Sequence, residues 1–164
     1  MSLSDKLTLS PIRKISGEVI LPGSKSLSNR ILLLSMLAEG QTEIKNLLDS
    51  DDIRRMVEAL EKLGIEFEEN RAENHISVSG TAGIIPVSEA TLMLGNAGTA
   101  IRPLTAAMTL GHGRFVLDGV ARMRERPIID LIEGLTQLGA NLRCLNGTDC
   151  PPVEVIADGL PGGK

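Results

Sequence analysis

Tryptophan and tyrosine are absent from this 164-residue chain, and Phe67 and Phe115 are its only aromatic residues. A core with so few rings must be packed mainly from aliphatic side chains, and there is no platform on which the bases of a single-stranded nucleic acid could stack. Cationic excess is missing as well. The 17 lysines and arginines face 21 acidic residues, a net charge of −4, which excludes bulk attraction to nucleic acid or to an anionic membrane surface. Any anion bound here must be held by local cations. No apolar run reaches the ~20 residues needed to cross a bilayer. Cys144 and Cys150 are the only cysteines and lack the spacing of a metal site, so no metal is expected. Nothing at the N-terminus resembles a signal or transit peptide, and a reducing cytoplasm is the expected setting. His75 and His112 are single and distant, and read as surface or packing residues.

Glycine and serine, by contrast, are concentrated where they count. Leu21-Pro22-Gly23-Ser24-Lys25-Ser26-Leu27-Ser28-Asn29-Arg30 is a small-residue turn that runs straight into the apolar stretch Ile31 to Leu37. Gly23 allows a tight turn, the serines offer hydroxyls and helix caps, and Lys25 and Arg30 bring two cations to the first turns of a helix. Free N–H groups, a positive helix end and cations together describe an anion seat. A serine-rich cap with two solvated cations is the bland alternative.

A second copy favours the seat. Leu94-Gly95-Asn96-Ala97-Gly98-Thr99-Ala100-Ile101-Arg102-Pro103 repeats the layout, with Gly23 to Gly95 and Arg30 to Arg102 both offset by 72 positions. Downstream, Leu60 to Ile65 matches Leu135 to Ala140 at an offset of 75. Two copies of one supersecondary unit account for this, and two glycine turns that both carry arginine suggest two anionic groups bound side by side. A third cationic cluster, Arg122-Met123-Arg124-Glu125-Arg126-Pro127, precedes a helix. Most members of such a run are solvated; Arg126, next to the proline, is the expected ligand, its planar fork suited to carboxylate or phosphate.

Taken in order, Ile12, Ile15, Val19 and Ile20 predict a pair of strands about Ser16-Gly17, and a helix is expected from about Ser28 to Glu39, stopped by Gly40. Thr42 to Asn46 reads as a strand. Ser50 caps a helix with the stripe Ile53, Met56, Val57, Leu60, Leu63, ended by Gly64. Ile65 to Glu69 and His75 to Ser79 form a hairpin, and Gly80 to Ser88 a linker. The second unit starts at Leu92, with a helix from Gly98 to Leu110, a strand from Arg114 to Asp118, a helix from Pro127 to Leu138, and strands at Asn141 to Leu145 and Val153 to Ile156. The expected divisions are N-terminal strands 1–21, a first unit 22–85, a second 86–157, and a connection 158–164 of pure turn chemistry, which suggests a fragment.

The three glycine and arginine segments together resemble the 5-enolpyruvylshikimate-3-phosphate synthase family, in the right order. Gly147 to Pro152 and Gly159 to Lys164 are similar to its plant-like members, and Ala121 departs from the family, where proline is usual. The resemblance implies an α/β (α+β) enolpyruvyl transferase fold, an inside-out α/β barrel of repeated βαβαββ units, with two of the first lobe's three repeats present and residues 1–21 belonging with the second lobe. It implies addition of the 5-hydroxyl of shikimate 3-phosphate to C2 of phosphoenolpyruvate and loss of phosphate, with no cofactor. Lys25, the catalytic candidate, and Arg126 would contact phosphoenolpyruvate, with Asn96, Gly98 and Thr99 at its phosphate, where the herbicide glyphosate also binds. Ser26 and Arg30 would hold shikimate 3-phosphate; Arg102 joins them or braces its turn. The family's Ser-Ser-Gln segment and acid–base residues are missing, so the chain alone is expected to be inactive and to need the complementary C-terminal part. Two other readings are a non-catalytic anion-binding or interaction module, and the sister transferase acting on a UDP-amino sugar, whose first turn pairs Lys with Asn.

Overall fold

Ile53, Met56, Val57 and Leu60 fall on one face at helical spacing, and Asp51–Lys62 forms a helix that buries them, with Asp51 and Asp52 in the first turn where the dipole favours carboxylates. The computed structural model describes residues 8–161. Within them the elements are α1 (Lys25–Leu37), β1 (Glu39–Ile44), α2 (Asp51–Lys62), β2 (Phe67–Asn70), β3 (His75–Thr81), β4 (Glu89–Met93), α3 (Gly98–Met108), β5 (His112–Asp118), α4 (Ile129–Gln137), β6 (Asn141–Cys144) and β7 (Val153–Asp158), with short 3₁₀ turns at Arg71–Glu73 and Met123–Glu125. The second unit is thus a complete βαβαββ.

Two sheets result. One has the order β1-β3-β2 and is antiparallel throughout; the other has the order β4-β5-β7-β6, with β4 and β5 parallel. The helices share an aliphatic core between them: Leu32 and Met36 of α1, Met56 and Leu60 of α2, and Leu104 and Met108 of α3 are fully enclosed, with Phe115 the one aromatic side chain among the largest buried groups. α1 packs on β3 and against both α2 and α3, and α2 reaches across to β4. The two units are therefore interlocked through their helices.

The expected strands around Ser16-Gly17 do not form. Residues 8–24 hold no regular element, and Ile12, Ile15, Val19 and Ile20 are exposed, Ile20 by 91%; Leu7 and residues 162–164 lie outside the described residues. A strand needs a partner, and in the second unit that partner is visible: β5 is covered by β4, and Leu94 N donates to Asp118 O to extend the pairing. In the first unit the matching position is Pro22, which has no N–H, and β1 keeps a bare outer edge among the described residues. Gly40 does not stop α1 either. The helix ends at Leu37 with Ala38 extended, and Gly40 belongs to β1. β4 itself lies just outside the expected linker and was not anticipated as a strand.

A row of alternating charges crosses the second sheet. Glu154 on β7 accepts from Arg114 of β5 at 2.8 Å and from Arg143 of β6 at 2.9 Å, and Glu89 of β4 meets Arg114 at 3.5 Å. The Arg114 hydrogen bond, with help from Arg143, holds the Glu154 carboxyl below its ordinary range although burial acts the other way. A carboxyl whose pKa is lower folded than unfolded lends stability above its unfolded value, ~4.3, and withdraws it as pH falls through the folded value. Glu154→Gln is therefore expected to lower Tm at neutral pH and to flatten its fall below about pH 4.5. Equal slopes of Tm against pH in the two proteins would show that the row carries no pH dependence.

Candidate functional site

The first turns of α1, α2 and α3 meet at one place. Ser24 caps α1, its hydroxyl accepting from Leu27 N at 3.5 Å, so the helix starts at Lys25 and not at Ser28. Lys25 Nζ reaches across to Asp52 Oδ2 in the first turn of α2 at 3.3 Å. The same carboxylate oxygen accepts from Thr99 Oγ1, at the start of α3, at 3.4 Å. Thr99 Oγ1 in turn accepts from Asn29 Nδ2 of α1 at 2.7 Å. Positive helix ends and free N–H groups converge here, the setting that favours a bound anion.

The approach of chains around this point is tight. A side chain on Gly23 would place its Cβ 2.2 Å from Asn46 O and 2.9 Å from Leu48 N, so the turn lies directly on the chain that leaves β1. Arg55 of α2 lies over the second turn, where a Cβ on Gly95 would come within 3.2 Å of its Nε. At Gly98 the missing side chain leaves room for Arg126: a Cβ there would fall 2.6 Å from Nη2. Arg126 Nη1 also donates to Asn96, to its backbone O at 3.3 Å and its Oδ1 at 3.4 Å.

The other two arginines of the third cluster are occupied. Arg122 pairs with Glu125 at 2.7 Å, and Arg124 forms a two-pronged pair with Asp118. Burial pushes the Asp118 carboxyl up, but the hydrogen bonds from Arg124 and from Gly119 N outweigh it and hold the group below the ordinary aspartate range. This pair, with Val120 N donating to Gly95 O at 3.0 Å, ties the loop carrying Arg126 to the second turn. Arg126 has no carboxylate partner among the described residues. Arg102 donates to Pro127 O, which braces the start of α4. Ser26 and the exposed Arg30 make no side-chain hydrogen bond or ion pair among the described residues.

The comparisons with known proteins fit this geometry. Residues 9–164 match the model of the family described as EPSP synthase (3-phosphoshikimate 1-carboxyvinyltransferase). This chain belongs to the EPSP synthase family. It is 58% identical over 167 residues to the chloroplastic 3-phosphoshikimate 1-carboxyvinyltransferase of Petunia hybrida, covering 97% of this chain and 32% of that protein. It is 54% identical over 159 residues to the enzyme of Shewanella denitrificans, covering 96% and 37%. The EPSP synthase structure from Acinetobacter baumannii superposes with a TM-score of 0.81 at 26% identity, covering 90% of this chain and 34% of that one. The chain spans about a third of the length of these EPSP synthase relatives. Among the described residues no helix is long and apolar enough to cross a membrane.

Three residues at the site were not singled out by sequence. Asp52 reads as an ordinary acidic residue of a helix first turn, yet it is the group that joins Lys25 to Thr99. Asn29 sits inside the first motif, four residues after Lys25 and so on the same helix face, which was the available signal. Arg55 belongs to no motif in the sequence, yet it lies over the second turn.

Proposed function

We propose that this chain supplies part of the active site of an EPSP synthase, in which the 5-hydroxyl of shikimate 3-phosphate adds to C2 of phosphoenolpyruvate and phosphate leaves the tetrahedral intermediate as the enolpyruvyl ether forms. The observation that carries the reading is the meeting of Lys25, Thr99, Gly98 and Arg126 from two separate repeats at three helix N-termini. Both substrates are multiply anionic. Holding them adjacent requires cations to offset their repulsion, and orientation then contributes much of the rate.

In this reading Lys25 and Arg126 contact phosphoenolpyruvate, with Asn96, Gly98 and Thr99 around its phosphate. Arg30 and Ser26, whose side chains are not engaged elsewhere among the described residues, hold shikimate 3-phosphate. Arg102 braces the loop. The acid–base groups belong to family segments outside the third that this chain matches, and glyphosate takes the phosphoenolpyruvate position. Leu27 and Leu34, exposed on one face of α1, support docking of the remaining repeats. We place the protein in the cytoplasm, which suits its two free thiols; the plant relatives are named as chloroplastic.

The test is phosphate release from shikimate 3-phosphate and phosphoenolpyruvate, assayed for this chain, for a polypeptide carrying the remaining family segments, and for the two co-expressed. Turnover is expected only in the last case, because the chain binds anions but lacks the groups that move protons to and from the reacting carbons. Turnover by the chain alone overturns the division of labour. A co-purifying but inactive pair favours a non-catalytic anion-binding module instead.

A further inference from the structure

Asn29 is a polar amide in a position where a packed helix ordinarily buries an apolar group, and it is only 1% exposed. Its Nδ2 donates to Thr99 Oγ1, leaving the single hydroxyl hydrogen of Thr99 for Asp52 Oδ2, which also receives Lys25 Nζ. The order of donors is therefore set: amide to hydroxyl, hydroxyl to carboxylate, ammonium to the same carboxylate. The chain begins and ends on α1 and passes through the first turns of α3 and α2. At its far end Asn29 Oδ1 is buried and has no partner among the described residues. A buried amide left half satisfied is costly to keep, and simple packing does not account for it.

We propose that Asn29 is a positioning residue: by clamping Thr99 it fixes Asp52, and through Asp52 it fixes the Lys25 ammonium at a set distance from the Gly98–Arg126 turn. The two anion-binding turns, carried by different repeats, then act as one seat. This rests on the reading of Lys25 and Arg126 as the phosphoenolpyruvate contacts. Asn29 and Asp52 touch no substrate in this account; they act through Lys25 and Thr99.

The test is a phosphoenolpyruvate titration of the ¹⁵N-labelled 164-residue chain, read from the amides of residues 24–26 and 97–99 as separate reporters of the two turns. In the wild-type chain both sets are expected to follow one binding curve. Asn29→Leu keeps the branched four-atom side-chain skeleton and removes the donor; binding should weaken by about tenfold, and the two sets should follow different curves. Adding Asn29→Leu to Asp52→Asn should cost nothing beyond Asp52→Asn alone, since both break the same chain. A merely structural asparagine would lower Tm yet leave the two sets on one curve. Wild-type behaviour of Asn29→Leu, or fully additive losses, overturns the positioning role. If Asn29→Leu does not fold, Asp52→Asn alone decides: split curves support the role and a shared curve overturns it. A wild-type chain with no response to phosphoenolpyruvate overturns both this role and the reading on which it rests.

Discussion

Replacing Lys25 by methionine is expected to cut turnover of the co-expressed enzyme by roughly 10²–10³-fold while leaving the fold in place, the size of effect seen when one preorganised charge partner is removed from a developing anion. The Lys25 side chain is half exposed, and its pair with Asp52 spans 3.3 Å at the surface, a contact worth at most about 1 kcal/mol. Methionine keeps the unbranched stem that lies along the helix start. Asp52 retains the Thr99 hydroxyl and the N-terminal end of α2, so it is not left stranded. Stability and catalysis are thus separable at this residue. Steady-state kinetics alongside circular dichroism and a melting curve check it; near-normal kinetics in a folded Lys25→Met protein would remove Lys25 from the site.

Gly98→Ala tests the opposite side of the seat. Gly98 is the first residue of α3, where alanine favours the helix relative to glycine. The new methyl group nevertheless comes within 2.6–2.9 Å of the Arg126 guanidinium atoms. The obstacle is the far end of a flexible side chain and not backbone, so Arg126 moves and α3 stays. Tm should change by no more than the equivalent of ~1 kcal/mol. The KM for phosphoenolpyruvate should rise by about tenfold, the loss of one charge-assisted contact, and glyphosate inhibition should weaken at least as much. Inhibition and melting curves measured together decide the matter. Unchanged inhibition would show that neither this backbone nor Arg126 approaches the ligand.

The helices were largely legible because their signals are local. Asp51 and Asp52, the stripe from Ile53 to Leu63, and the β2–β3 hairpin all appear within a residue or two of where periodicity puts them, whereas Ser50 takes the N-cap position but its hydroxyl makes no capping bond among the described residues. Offsets of 72 and 75 revealed the duplication, and the family resemblance pointed to the residues of the candidate site. Strand pairing was less legible, since it depends on a second segment: Val19 and Ile20 are strand-type residues with no partner among the described residues, whereas the less regular Glu89–Met93 becomes β4 because β5 lies beside it. Chemistry between repeats was not legible. No spacing along the chain announces that Asp52 meets both Lys25 and Thr99, 27 and 47 positions away in sequence, because that meeting is set by how α1, α2 and α3 pack.

The bare edge of β1 bears on how this polypeptide behaves at high concentration. An open strand offers unused N–H and C=O groups, on which other molecules can stack edge to edge. β1 is only six residues long, however, and Glu39, Gln41 and Glu43 line it as exposed polar groups. Two negative charges along so short a strand repel a second copy presenting the same edge. Among the described residues the strand left open is thus the one that guards against stacking, and neutralising Glu39 and Glu43 is expected to favour association without altering any contact in the core.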